Sequence, residues 1–127
     1  MAKTYKQTLG NDGESCAAAF LQNRRHTILA RNWRGRYGEI DIVSLEGQTL
    51  VFSEVKTRTN QKFGPPQQAV TPAKQKRLCK AALEYICAHA CADRNVRFDV
   101  LALTKIVDGY QVEWFANAFE FYIDEDF

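Results

Sequence analysis

Three residues in one short stretch carry most of the chemistry this sequence can do: Asp41 in GEIDIV (residues 38–43), then Glu54 and Lys56 in VFSEVKTR (residues 51–58). The two β-rich runs are separated by Glu46-Gly47-Gln48, a glycine-bearing connection short enough to close a hairpin. Side chains alternate along a strand, so Glu39, Asp41 and Val43 share one face, and Glu54 and Lys56 share one face of the next strand. A two-residue turn at Gly47-Gln48 sets Asp41 opposite Glu54, whereas a turn at Glu46-Gly47 sets Glu39 there. In either register acids meet on one face, with Cβ atoms ~4.5–5.5 Å apart.

Like charges opposed in a sheet are destabilising, so this face calls for compensation by a cation or by Lys56. Two carboxylates, waters and a phosphate oxygen describe a Mg²⁺ site, with Mn²⁺ as a substitute, because Mg²⁺ keeps several waters and takes only one or two protein carboxylates. Lys56 would then face the reacting phosphate, orienting the attacking water or stabilising charge on the phosphoryl oxygens. An exposed hairpin face with solvated acids and a lysine partner fits the same pattern, and spacing alone leaves the two open.

The elements that must position these residues are legible in outline. Asn11-Asp12-Gly13-Glu14 offers caps for a helix over residues 15–25, with Ala18, Leu21 and Cys16 or Phe20 turned inward. Residues 26–33 read as extended, and Arg34-Gly35-Arg36-Tyr37-Gly38 interrupts them. The loop over residues 58–68 contains Gly64-Pro65-Pro66 and cannot be helical through its prolines. Thr71-Pro72 is an N-cap followed by proline at the first helical position, after which Leu78, Ala82, Tyr85, Ile86 and His89 keep helical spacing to about residue 91. Residues 97–104 and 110–115 read as two more strands joined through Asp108-Gly109. Helix, strands, helix, strands is the order of an α/β or α+β layered domain spanning residues 1–127.

Composition bounds the function. With 127 residues, 46% hydrophobic and 25% charged, the chain has the make-up of one globular domain. Residues 1–10 are polar, and no apolar run approaches the ~20 residues needed to span a bilayer, so the reading is cytoplasmic, with no membrane partner. Cys16, Cys79, Cys87 and Cys91 contain no CxxC pair and read as free thiols in small core or boundary positions; zinc ligation with His26 or His89 is the weaker alternative. The net charge of +2 hides an uneven distribution. Residues 1–36 hold seven Lys/Arg against Asp12 and Glu14, and residues 57–80 hold six with no acid, whereas the segment between them is acidic. Basic flanks beside an acidic centre suit a phosphate-bearing partner.

The GEIDIV and VFSEVKTR segments resemble the signature of the PD-(D/E)XK nuclease superfamily, and specifically of the YraN-like family of small bacterial proteins. Separated matches support the resemblance: residues 11–18 to the opening helix with its glutamate, Arg31-Asn32-Trp33-Arg34 to the arginine-asparagine segment, Phe63-Gly64 and Ala69-Val70 to the loop after the core, and Arg97-Phe98-Asp99 to a later strand. Ile40 stands where the superfamily name has proline. The resemblance implies an α/β restriction-endonuclease-like three-layer fold, a central mixed sheet flanked by helices, with Asp41, Glu54 and Lys56 catalytic. Glu14 matches the helix glutamate that archaeal-type Holliday-junction resolvases add to the metal shell, and Glu39 ranks fourth among the acids.

The expected activity is metal-dependent hydrolysis of DNA phosphodiesters, on branched or structured DNA in repair or recombination. Arg34, Arg36, Arg58 and Lys74 are the expected phosphate contacts, and a homodimer is a candidate assembly because paired cuts call for two identical sites. The alternative is a nuclease-fold module that binds nucleic acid or a repair partner without useful turnover. Trp33, Tyr37 and Phe63 are expected in the core before they are expected to stack on bases, and Asp99 is expected to bridge to Arg97 before it is expected at a metal.

Overall fold

A computed structural model describes residues 13–58, 70–91 and 93–121, together with the backbone of residues 3–6. The chain runs β1 (Lys3–Lys6), α1 (Gly13–Asn23), β2 (Thr27–Arg34), β3 (Glu39–Glu46), β4 (Thr49–Arg58), α2 (Pro72–Ala88), β5 (Asn95–Ile106) and β6 (Gly109–Phe119). The strands form one mixed sheet in the order β1-β6-β5-β4-β3-β2. Strands β4 and β5 are parallel and every other neighbouring pair is antiparallel. A parallel pair needs a crossover, and α2 supplies it.

Helix α1 covers one face of the sheet, where Cys16, Ala17, Phe20 and Leu21 pack on Ile42, Leu101, Leu103 and Val112. Helix α2 covers the other, where Leu78, Ala82, Tyr85 and Ile86 pack on Val43, Leu50, Phe52, Phe98 and Val100. The fold is therefore the expected α/β three-layer, restriction-endonuclease-like arrangement.

The hairpin takes the first of the two registers. Glu46 pairs with Thr49 and Ile42 with Ser53, with Gly47 at φ +59 as the first central residue of the turn. A two-residue turn between right-twisted strands demands that left-handed conformation, which glycine adopts without a Cβ penalty. One row of β4 side chains, Leu50 and Phe52, then lies under the middle of α2. Glu54 and Lys56 continue that row toward the helix N-terminus.

Helix α1 begins two residues before the expected start, at Gly13, where a Cβ would stand 2.6 Å from Thr57 Oγ1. Only a glycine lets the helix press so closely on β4. The expected caps Asn11 and Asp12, and the proline loop with Phe63, lie outside the described residues. At the other end of α1, Arg25 adopts φ +68 and the His26 N–H donates to Leu21 O at 3.0 Å, the helix-ending arrangement usually built on glycine. Helix α2 opens as expected, with Thr71 Oγ1 accepting from the Lys74 N–H at 3.2 Å and Pro72 at the first position. It closes as α1 does, through Ala90 at φ +51 and a Cys91 N–H bond to Ile86 O of 3.1 Å.

Strands β5 and β6 extend beyond the expected bounds, and the polar strand β1 was not anticipated. Between Phe98 and Val100 the β5–β6 register shifts. The Asp99 carboxylate, 1% exposed, gathers four donors there: Arg97 Nε (2.8 Å), Arg97 Nη2 (2.9 Å), Trp114 Nε1 (2.9 Å) and the Asn117 N–H (3.0 Å). The expected Arg97–Asp99 bridge is thus the centre of a fully satisfied buried network. Asp99→Ala leaves the Trp114 indole N–H and the Asn117 N–H without their acceptor and Arg97 with Glu46 alone, and should cost ~2–4 kcal/mol in urea unfolding. Ala90→Gly relieves a left-handed alanine and should stabilise by up to ~1 kcal/mol in the same measurement.

Candidate active site

The site forms where two strands turn over together. Ile40 and Val43 both join the core beneath α2, and so do Ala30 and Trp33 of β2, although residues three apart face opposite sides of a regular strand. Ala30 still pairs with Val43 and Trp33 with Ile40, so the reversal is shared by both strands and falls at Asn32 and Asp41. Asn32 takes φ +52, a left-handed conformation that asparagine tolerates better than most side chains do. Regular alternation over residues 39–43 is therefore corrected: the strand reverses its faces at the catalytic candidate itself.

Freed from the ladder, the Asp41 side chain turns to its neighbour strand, and its Oδ2 accepts the Val55 N–H at 2.8 Å. Asp41 and Glu54 then line one pocket of about 350 Å³, together with Glu39 and with Lys74, Arg77 and Leu78 of α2. Glu54 is 8% exposed. Its Oε1 accepts from Lys74 Nζ at 2.9 Å and lies 4.0 Å from Lys56 Nζ. Lysine in a helix's first turn opposes the macrodipole, and the buried carboxylate offsets that cost.

Protonation follows from this crowding. Burial, reinforced by the neighbouring Glu54 and Glu14 charges and a hydrogen bond to Glu54, pushes the Asp41 carboxyl up to about 7, while the Val55 N–H pulls the other way. Lys56 is lowered, first by its hydrogen bond with Lys74 and then by burial. Burial draws Lys74 down too, but its bonds to Glu54 and Lys56 outweigh this and its pKa is raised. The cluster thus makes Asp41 the carboxyl that holds a proton toward neutral pH, with Lys74 the firm cation and Lys56 the softer amine.

The other expected residues are placed differently. Glu39 lines the mouth of the pocket, its carboxylate held by Arg34 at 3.1 Å. Glu14 is near enough to raise Asp41, but its carboxylate is held by Arg31 at 3.3 Å. The expected four-acid metal shell is not assembled: among the described residues no three His, Cys, Asp or Glu stand together as metal ligands. Two carboxylates remain, a number that suits Mg²⁺. Arg58 is no mouth residue, since its side chain is 13% exposed and donates to Thr104 Oγ1 (3.1 Å) and Glu113 (3.3 Å). Lys74 sits inside the cluster rather than at its rim. Arg34 and Arg36 are exposed beside it. Trp33 packs edge-on against Tyr85, as a core residue. Arg77, outside the expected site residues, lines the pocket, and so does Tyr37, which is 45% exposed rather than in the core, its expected place. Arg77 follows Lys74 by three helical positions, a spacing that puts both on one face.

A central mixed sheet between helices, with a hairpin that carries Asp41 and the Glu54-Lys56 pair where its strands part, is the restriction-endonuclease-like class of architecture. The model of the uncharacterised protein family UPF0102 matches residues 13–103. A UPF0102 protein of Geobacter metallireducens is 47% identical over 91% of this chain and 95% of its own length. Its counterpart in Geobacter sulfurreducens is 48% identical over 91% of each chain, and that of Syntrophus aciditrophicus 44% over 92% of each. The chain belongs to UPF0102, the YraN family. No described helix is long and apolar enough to cross a membrane.

Two outcomes test this geometry. Asn32→Gly should leave stability nearly unchanged, whereas Asn32→Ala should cost ~1–2 kcal/mol in urea unfolding, because only the second forces a Cβ without a local hydrogen-bonding side chain into left-handed backbone. The Asp41 carboxyl has its ordinary value near 3.8 when exposed and about 7 in the fold, so across that window the folded state holds a proton that the unfolded chain lacks. Stability from this group therefore falls as pH rises through the window. In chelator, Asp41→Asn should gain on the wild type progressively between those two values and keep its advantage above them; a difference independent of pH would contradict the proton on Asp41.

Proposed function

We propose that this protein is a metal-dependent DNA endonuclease, hydrolysing phosphodiester bonds with Asp41, Glu54 and Lys56. The observation that supports it is the Asp41–Glu54 pair, a half-buried and a buried carboxyl lining one open pocket, with Lys74 on Glu54 at 2.9 Å. Oxygen donors of this kind fit Mg²⁺ or Mn²⁺, and a cation there supplies Lewis acidity to a phosphoryl oxygen and lowers the pKa of a nearby water. The Val55 N–H fixes the orientation of Asp41. Lys56, its pKa lowered by Lys74, is suited to hold the attacking water and take up its proton. Arg77 at the pocket wall, with Arg34 and Arg36 beside the mouth, would neutralise phosphates on either side of the scissile bond. Branched or structured DNA is the proposed substrate, the protein working in repair or recombination in the cytoplasm.

One observation favours a second reading. Lys74 already compensates Glu54 at 2.9 Å, and a proton compensates Asp41, so the acids are tolerable with no metal present. A module that binds DNA or a repair partner without turnover would need nothing more.

Cleavage of a panel of flapped, forked and four-way DNA in Mg²⁺ or Mn²⁺ separates the two. With the nuclease reading, Asp41→Asn and Glu54→Gln should lower cleavage by orders of magnitude while metal-free DNA affinity stays level or rises, since a negative charge beside a phosphate is removed. Lys56→Ala should lower cleavage while leaving metal binding intact. Equal cleavage by all three variants would sink the site assignment; no cleavage by the wild type in either metal would favour the binding module.

A further inference from the structure

The segment between β2 and β3, residues 35–38, is held on α2 by a single side chain. Glu84 spends both carboxylate oxygens on its backbone, Oε2 accepting the Arg36 N–H at 3.0 Å and Oε1 the Tyr37 N–H at 3.1 Å. The Gly35 N–H closes the turn on Gly38 O at 2.9 Å. A Cβ at Gly35 would stand 2.5 Å from Glu84 Oε1 and 2.8 Å from the Trp33 ring, so the close fit of loop, helix and indole requires glycine. Charge-assisted bonds from a carboxylate to successive backbone N–H groups are among the stronger local restraints available to a loop.

What this clamp presents is an aromatic ring outside the core. Tyr37 is 45% exposed and lines two pockets at once: the acidic one, with Asp41, Glu54 and Arg77, and a neighbouring apolar groove of about 240 Å³ with Leu83, Lys80 and Cys87. Lys80 Nζ lies 5.3 Å from the ring centroid. An exposed aromatic ring with Lys80 beside it and Arg77 in the adjoining pocket, which is sized for a phosphate and its neighbours, is the arrangement that holds single-stranded nucleic acid: cations track the backbone while a base stacks on the ring. Bases inside a duplex are stacked on one another and offer no free face.

We propose that Tyr37 is a specificity-determining contact, stacking on an unpaired DNA base next to the phosphate in the acidic pocket, and that Glu84 is its positioning residue. The inference rests on the nucleic-acid reading above and deepens it, because a stacking ring at the pocket mouth selects strands that are already splayed.

The test uses the full chain without metal and an oligonucleotide carrying 2-aminopurine, as a single strand and as the matched duplex, followed by anisotropy and base fluorescence. The wild type should prefer the single strand and quench the 2-aminopurine. Tyr37→Phe should keep both properties. Tyr37→Ala should lose the quenching and about ten-fold in single-strand affinity, with duplex affinity unchanged. Glu84→Ala should give an intermediate loss, and the double variant should fall no further than Tyr37→Ala, which a merely structural role for Glu84 would not produce. Unchanged quenching and preference in Tyr37→Ala, or equal losses on both DNA forms, overturn this inference alone. A wild type that binds neither form overturns it together with the nucleic-acid reading.

Discussion

Two carboxyl groups in one pocket, Glu54 buried and Asp41 half-buried, are the constraint around which this protein is arranged. Glu54 continues a β4 row whose earlier members, Leu50 and Phe52, are packed beneath α2, and Asp41 of β3 lines the same pocket. Taking one ionised carboxylate out of water is costly, and two side by side cannot both remain charged without a partner. The surroundings answer with Lys74 from the first turn of α2, Lys56 from the same strand, the Val55 N–H and a proton near neutral pH. Each also narrows the geometry: Lys74 ties the helix start to β4, and Val55 ties the Asp41 side chain to the adjacent strand.

The paired ladder of β3 and β4 ends just before this pair, with Ile42 opposite Ser53. The joint reversal of β2 and β3 keeps the register on either side of Asn32 and Asp41, with Trp33 opposite Ile40 and Ala30 opposite Val43; a separate register shift lies between Ile28 and Ala30. The left-handed Asn32 is the point of local strain. Strands that part at this place open a pocket whose far wall is α2, and the same helix fixes the adjoining loop through Glu84. One helix thereby sets the cation, the wall and the rim of the site.

Much of this was readable from residue order, and the reasons for what was not are physical. The Thr71-Pro72 helix start and the stripe of Leu78, Ala82, Tyr85 and Ile86 in α2 are local signals and stand as expected, while His89 caps the helix instead of joining the stripe; of the two turn registers the sequence allows, the structure takes Gly47-Gln48. That acids from the two strands meet on one face follows from either turn register, and the Gly47-Gln48 register makes Asp41 the partner of Glu54. Period-two reasoning failed at Asp41 because a left-handed residue in the neighbouring strand resets the faces, and an exposed Asn carries no hydrophobic pattern to announce that. Arg58 reads as a surface cation until β5 and β6 bring Thr104 and Glu113 to its guanidinium from 46 and 55 residues away. Tyr37 reads as a core aromatic and Arg77 as one of several basic residues, because what sets them apart is the neighbours that α2 places beside them. Strand β1 is too short and polar to signal itself, and is specified by the edge it pairs with.

The central claim is that Asp41 and Glu54 together form one cation site whose resident proton and Lys74 contact stand in for the metal. Calorimetric titration of the protein with Mn²⁺ near pH 6.5, repeated in buffers of different ionisation enthalpy, tests it most directly. The account predicts one site per chain, a proton released from the pair as the cation enters, and loss of both in Asp41→Asn. Mn²⁺ that fails to bind, or that binds Asp41→Asn as tightly and with the same proton count, would contradict it.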